Sequence, residues 1–355
     1  MQITRFWIIP LLAFFLFSGA GCLNLGGTKS QQGVKDGGVY KSIDGAAKWS
    51  QSVAFPSAKG VGSVGTTDVL TMTFDPSDTK TLYMGTKENG LLFSYDNGVS
   101  WQYPGDSQLK EGGVRSIAVD PADICTVYAV SGTRLYKTET CSRRFQSVYQ
   151  EARSGVSPRR VALDWYQSDT VYLGLSNGDI LKSTDRGVTW LTLFTVKGEV
   201  TQLVVSHKDS RILLVGTGGG LFKSVDAGVT WTKMEEALKP FKEGEDIFSL
   251  VQSEDGSIIL AATKYGLLRS KDVGDSWEAV KLVTAPGQVI VRAVAMNPTD
   301  PQTIYYATSS TFYTSIDSGV TWKTQKLPSS RSASILLVNP EHPEVIYLGV
   351  TKIEK

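Results

Sequence analysis

Histidine and cysteine are nearly missing from this 355-residue chain, which has two His (His207 and His342) and three Cys (Cys22, Cys125 and Cys141). A zinc site or a Cys–His nucleophile pair has almost nothing to be built from, and no metal and no cofactor are expected. Net charge is lacking as well. The 36 Lys and Arg face 35 Asp and Glu, so no whole-chain field draws in nucleic acid, and any electrostatic partner must be met by a local patch. No apolar run reaches the roughly 20 residues that a membrane-crossing helix needs. Helical patterning is confined to MEEALKPF at residues 234–241. What is plentiful is glycine, 35 residues beside 13 proline and without a Gly-X-Y period, together with 10% aromatics including eight Trp. That is the inventory of a globular chain of many short strands and turns.

The N-terminus carries one charge, Arg5, then an apolar run from Phe6 to Phe17 and small residues, Ser18-Gly19-Ala20-Gly21, ahead of Cys22. This reads as an export signal over residues 1–21. The small residues ending in Cys resemble a bacterial lipobox, although Gly19 stands where that family prefers Leu. The resemblance implies lipidation of Cys22, a lipid anchor in a membrane, and a chain exported to the periplasmic or extracellular face of the cell envelope. Residues 22–37 are polar and Gly-rich and suit a flexible tether; the folded body is expected over 38–355. In an oxidising compartment Cys125 and Cys141 would form a bridge or remain two half-buried thiols, and both readings stand.

One eight-residue phrase recurs along the body, Ser-x-Asp-x-Gly-x-Thr/Ser-Trp. It appears as SYDNGVSW (94–101), STDRGVTW (183–190), SVDAGVTW (224–231), SKDVGDSW (270–277) and SIDSGVTW (315–322). Two copies are worn: SIDGAAKW (42–49), with its Gly moved up by one, and TETCSRRF (138–145), which keeps a Thr, an acid displaced by one position and an aromatic. Spacings of 41 to 52 residues between starts are those of propeller blades. Within the phrase the carboxylate accepts backbone amides, the Gly supplies a positive φ and the hydroxyls tie the same turn, so the Asp and Trp residues are read as structural. They are Asp44 and Trp49, Asp96 and Trp101, Asp185 and Trp190, Asp226 and Trp231, Asp272 and Trp277, and Asp317 and Trp322.

These residues resemble the Asp-box of BNR-repeat propellers, a family that includes bacterial sialidases, xyloglucan-type glycosidases, sortilin-like receptors and photosystem II assembly factors. The resemblance covers residues 38–351. Around each phrase the same strand order repeats, with runs such as TVYLGL (170–175) and ILLVGT (212–217) bounded by Asp-Pro, Asn-Pro and Gly turns. The chain begins with only third and fourth strands and ends with only first and second ones. The expected fold is therefore all-β, a single seven-bladed propeller of four-stranded blades whose last blade is closed by both termini.

On the face formed by the connections between blades stand Arg115, Arg159, Arg160, Arg292 and Arg331. Arg115, Arg159 and Arg292 each lie five residues before the Asp or Asn that ends their strand, hence at equivalent positions. Gathered at a funnel mouth they would bind carboxylate or phosphate in two-pronged fashion; alternatively they are rim arginines paired with Glu199, Glu243, Glu245 or Asp246. Catalysis is disfavoured and no catalytic residue is assigned. The sialidase-like Arg-Ile-Pro tripeptide is absent, and Asp68, Glu88, Asp179, Glu199 and Asp246 show no spacing that singles out a pair. The xyloglucan-type enzymes resemble two tandem propellers with acids in the cleft between them. The expected function is a non-catalytic, monomeric scaffold that holds a protein or glycan at the envelope. The resemblance to photosystem II assembly factors makes this a ring using an arginine patch on a membrane protein. The alternatives are a sialidase- or xyloglucanase-like hydrolase, or a carbohydrate-binding propeller using aromatics such as Tyr265.

Overall fold

β-Branched and aromatic runs precede each turn phrase because they form strands covered on both faces. Val171–Leu175 and Leu213–Thr217 are buried at every residue, whereas the outermost strand Leu191–Thr195 is largely exposed. A strand sandwiched between neighbouring sheets has no polar face to display, so its sequence is continuous rather than alternating. The computed structural model describes residues 35–105 and 108–353. The export signal, Cys22 and residues 22–34 of the expected tether lie outside the described residues.

Seven antiparallel sheets form the blades. Their first strands, in blade order, are Val69–Asp75, Val114–Val119, Pro158–Leu163, Val200–Val205, Ile247–Gln252, Ala293–Met296 and Ser332–Val338. Each touches the next, and the seventh touches the first, so these strands ring a central axis. Blade 7 is assembled from both ends of the described chain. Ser332–Val338 and Ile346–Thr351 come from the C-terminal side, and Gly38–Ser42 and Ser50–Ser52 from the N-terminal side, with Gly38 opposite Val350 and Ser42 opposite Ile346. The expected seven-bladed all-β ring is thus the observed one. In blade 1 the fourth strand shrinks to a single bridge between Phe93 and Gln102. A separate hairpin, Ala54–Ser57 with Gly60–Ser63, stands between blades 7 and 1. The short helix Glu235–Leu238 sits in the connection from blade 4 to blade 5. Asp36 and Gly37, placed in the tether on sequence, are tied to the ring: Asp36 accepts Tyr40 Oη and Ser330 N, and Gly37 N donates to Gly65 O.

The hydrophobic core lies in the seams between blades. In the seam of blades 5 and 6, Leu260, Ala262 and Leu267 meet Val291, Val294, Tyr306 and Tyr313. Each turn phrase fastens such a seam. In blade 4, Ser224 Oγ donates to Asp226 Oδ1 and accepts Gly228 N, while Asp226 accepts both Thr230 N and Thr230 Oγ1. The residue before the glycine is also left-handed, as at Asn97, Arg186, Ala227, Val273 and Ser318. At Asn97, Arg186, Ala227 and Ser318 its carbonyl faces the preceding blade and is bonded there. Asn97 O accepts Lys41 Nζ and Tyr347 Oη, Ala227 O accepts Lys182 Nζ and Tyr172 Oη, and Ser318 O accepts Arg269 Nη1. The indoles of Trp101, Trp190 and Trp322 donate backward in the same way, to Ser52, Val148 and Lys281 carbonyls. Trp101 is fully buried, but Trp49, Trp190, Trp231 and Trp322 are half-buried at the rim.

The worn phrase at 138–145 aligns differently from its sequence reading. Thr140 takes the aspartate's place and accepts Arg144 N, and Cys141 and Ser142 supply the left-handed pair without any glycine. Phe145 is buried where other copies carry Trp. The displaced acid, Glu139, pairs instead with Lys137. Cys141 is joined to Cys125 in a disulfide.

Candidate functional site

The first strand of each blade begins with an irregularity. Six of the seven carry a β-bulge near the start, at Leu70, Arg115, Arg159, Thr201, Phe248 and Ser334. In blade 6 Arg292 holds the same place, its N–H donating to Ala307 O while Ala293 pairs with Ala307. A bulge leaves one residue out of the ladder and re-aims its side chain. Seven equivalent positions therefore ring the axis at the end bearing the connections between blades, and three hold arginine.

Arg115 and Arg159 lie on neighbouring blades, and Arg160 joins them. Its Nη1 donates to Arg159 O at 2.9 Å and reaches Arg115 O at 3.5 Å. Burial pushes the Arg160 guanidinium down to about 10, with Arg115 and Arg159 adding to the fall and Glu199 opposing it. It stays charged at neutral pH. Arg159 is engaged by Glu199, Nε to Oε1 at 2.8 Å. Of the four acids weighed as competitors, Glu199 alone meets one of these arginines among the described residues, and Glu243 pairs with Lys264. Arg115 and Arg292 are exposed, and among the described residues neither guanidinium has an acid partner. At the starts of their first strands blades 2 and 3 thus bring together three guanidinium groups, Arg115, Arg159 and Arg160, and Glu199 is the acid paired with them. Arg292 stands at the same level in blade 6.

Arg331 does not share this arrangement. It is 7% exposed, and its Nη1 donates to Thr66 O, Thr67 O and Asp68 Oδ1. A guanidinium so enclosed fastens blade 7 to the approach to blade 1 and has no face for a ligand. Tyr265 is half-buried and packs edge-on against Phe241 at 5.3 Å. Phe248 and Leu70, missed on sequence, stand at the bulge positions of blades 5 and 1. Both lie five residues before their strand-ending residue, Ser253 and Asp75, and that spacing would have found them.

The acids weighed for hydrolysis are largely committed. Asp68 is paired with Arg331, Glu199 with Arg159, and Asp179 with Arg153 at 2.7 Å. Asp179 is held below the usual carboxylate range by hydrogen bonds from Asn177, Thr195 and Arg153, which outweigh the opposing, larger single effect of burial. No three His, Cys, Asp or Glu side chains among the described residues are placed to hold a metal ion.

A family model described as sortilin, neurotensin receptor 3, matches residues 265–355. No curated protein matches the chain. Among solved structures, the chain is similar to a GH74 enzyme from Niastella koreensis, with 16% identity and a TM-score of 0.65 over 80% of this chain and 51% of that one. It is also similar to YCF48 bound to D1 peptide, with 16% identity and a TM-score of 0.61 over 81% of this chain and 94% of that one. YCF48 from Cyanidioschyzon merolae is 12% identical, with a TM-score of 0.59 over 80% of this chain and 96% of that one. The chain spans about half the length of the GH74 enzyme and nearly the whole length of the YCF48 structures. At these identities the likeness is one of fold.

Proposed function

We propose that this propeller is a non-catalytic scaffold at the cell envelope, anchored through lipid on Cys22, that grips an acidic segment of a partner protein at the arginine-bearing end of its axis. The carrying observation is Arg160, a half-buried guanidinium directed at the backbone carbonyls of Arg159 and Arg115 and so set beside those two arginines, with Glu199 as the one acid paired with the three. Such a site is short of negative charge, and a guanidinium fork takes a carboxylate on two parallel hydrogen bonds. A carboxylate-bearing peptide would also displace Glu199 from Arg159 at little cost, because that pair is partly solvated. Support for a protein partner comes from the neighbour whose structure is that of YCF48 bound to D1 peptide. The commitment of Asp68, Asp179 and Glu199 to ion pairs supports the non-catalytic reading, since a hydrolase needs one carboxyl held protonated near neutrality.

The test is recovery of partners from a detergent extract by the native chain and by an Arg115→Ala/Arg159→Ala/Arg292→Ala variant. The variant is expected to lose the partner; equal recovery rejects the arginine site. Hydrolysis of a sialoside or β-glucan that disappears in the same variant would overturn the scaffold reading. Release of Cys22→Ser from the membrane fraction is expected, and its retention would overturn the anchor.

A further inference from the structure

The opposite end of the ring carries the turns between first and second strands. Seven equivalent residues close these turns, and in four of them the capping residue is followed by proline: Asp75-Pro76, Asp120-Pro121, Asn297-Pro298 and Asn339-Pro340. Blade 3 keeps the cap, with Asp164 Oδ1 accepting Tyr166 N and Gln167 N, but replaces proline with Trp165-Tyr166. The turn is thus built without help from the two rings. They are left in solvent all the same, Trp165 at 42% and Tyr166 at 76% exposure. Large rings kept out of the core beside an already satisfied turn point to a ligand.

The rings are also oriented. Trp165 Nε1 donates to Ser206 O of blade 4 at 2.8 Å, pinning the indole edge across the seam. Tyr166 stands 6.1 Å away at 74°, so the two rings meet as the sides of a corner. The facing wall is Lys208 to Arg211, where the Arg211 guanidinium grips Asp209 at 2.7 to 3.2 Å. The cleft between these walls has a volume of about 310 Å³.

From this geometry we propose that the Trp165–Tyr166 cleft is a binding subsite for a neutral glycan. A pyranose offers an apolar C–H face to an aromatic ring and hydroxyls around its edge to planar polar groups. Here the indole supplies the platform, and Gln167, Lys208 and the Asp209–Arg211 fork supply the edge contacts. Asp164 and Asp209 balance Lys208 and Arg211, so the cleft carries no excess charge to select an anionic ligand or an anionic lipid headgroup. Its volume takes a sugar ring or two and is too small for a helix or folded loop. The site is at the other end of the ring from the arginines and independent of them.

The test is calorimetric titration of the purified full chain with cellohexaose, chitohexaose, mannohexaose and a xyloglucan oligosaccharide, run beside sedimentation with anionic and zwitterionic vesicles. At least one saccharide is expected to bind, and Trp165→Ala and Tyr166→Ala are each expected to weaken it about tenfold or more, the scale of one lost stacking contact. The arginine triple variant should bind it unchanged. Tyr166 is exposed and its ring bears no hydrogen bond of the turn, so Tyr166→Ala reports on binding where Trp165→Ala loosens the seam. Absence of binding across the panel at about 10 mM, a range that covers weak single-subsite affinity, overturns the proposal. So does undiminished binding in Tyr166→Ala, or vesicle sedimentation that depends on Trp165 while no saccharide binds.

Discussion

Ser224 is buried, and its hydroxyl works in two directions, accepting the Gly228 amide and donating to Asp226. Ser224→Ala leaves a buried amide without an acceptor, and the expected loss of stability is about 1–3 kcal/mol, read by urea unfolding. An unchanged midpoint would mean the turn re-forms around another acceptor. The carboxylates at these turns set an acid limit. Asp185, Asp226 and Asp317 are held at about 2, against an ordinary 3.8, chiefly by the hydroxyls of Thr189, Thr230 and Thr321 and then by backbone amides. A depressed carboxyl stabilises the fold above its unfolded value and ceases to do so as pH falls through the folded one. The melting temperature is therefore expected to be level above about pH 5 and to fall between about pH 4 and 2, less steeply in Asp226→Asn. A flat profile across that interval contradicts it. At this scale the sequence shows the aspartate and glycine plainly but not the second left-handed residue, nor the stand-ins at 140–142. The turn demands an oxygen acceptor and two positive φ angles, and Thr140, Cys141 and Ser142 meet that demand with none of the signature letters.

Adjacent sheets approach closely where second strands carry glycine. A Cβ on Gly216 would lie 2.6 Å from Ile247 Cγ2, one on Gly174 2.5 Å from Val200 Cγ1, and one on Gly85 2.5 Å from Val114 O. The β-branched residue that starts the next blade occupies the space a side chain would need. Gly216→Val should therefore force blades 4 and 5 apart, costing about 1–3 kcal/mol or more in a denaturant titration. Ala262 fills the equivalent place in blade 5, and Ala262→Gly should cost less than Gly216→Val. Equal effects would show that the seam yields freely. The strands were legible because fully covered runs stay apolar, and the equivalence of Arg115, Arg159 and Arg292 because a fixed five-residue interval survives the bulge. Arg331 lies outside that interval: it stands just before a first strand, as expected, but its enclosure by Thr66, Thr67 and Asp68 arises from residues some 260 positions away. The carbonyl clamps made by Tyr172 and Lys182 were equally hidden, since their partner is a turn in the next repeat.

For the molecule as a whole, closure through both termini means that the ends behave as neighbours in one hairpin. Gly38 faces Val350 as Gly220 faces Thr217 in blade 4, where two glycines make the connection. The gap in blade 7 is thus equivalent to a cut second-to-third strand loop. Joining Lys352 to Asp36 by a short Gly-rich link and opening the chain between Lys242 and Glu243, in the insertion after blade 4, should give a circular permutant with the same single unfolding transition. Its stability should equal or slightly exceed that of the ring, because linking adjacent ends removes only closure entropy, about 0.6 kcal/mol per doubling of loop length. Deleting residues 346–351 instead should leave Gly38–Ser42 and Ser332–Val338 without their shared partner and expose two strand edges, seen as concentration-dependent association in size-exclusion chromatography. A permutant that fails to fold while the deletion variant remains a cooperative monomer would show that blade 7 closes the ring by means other than this pairing.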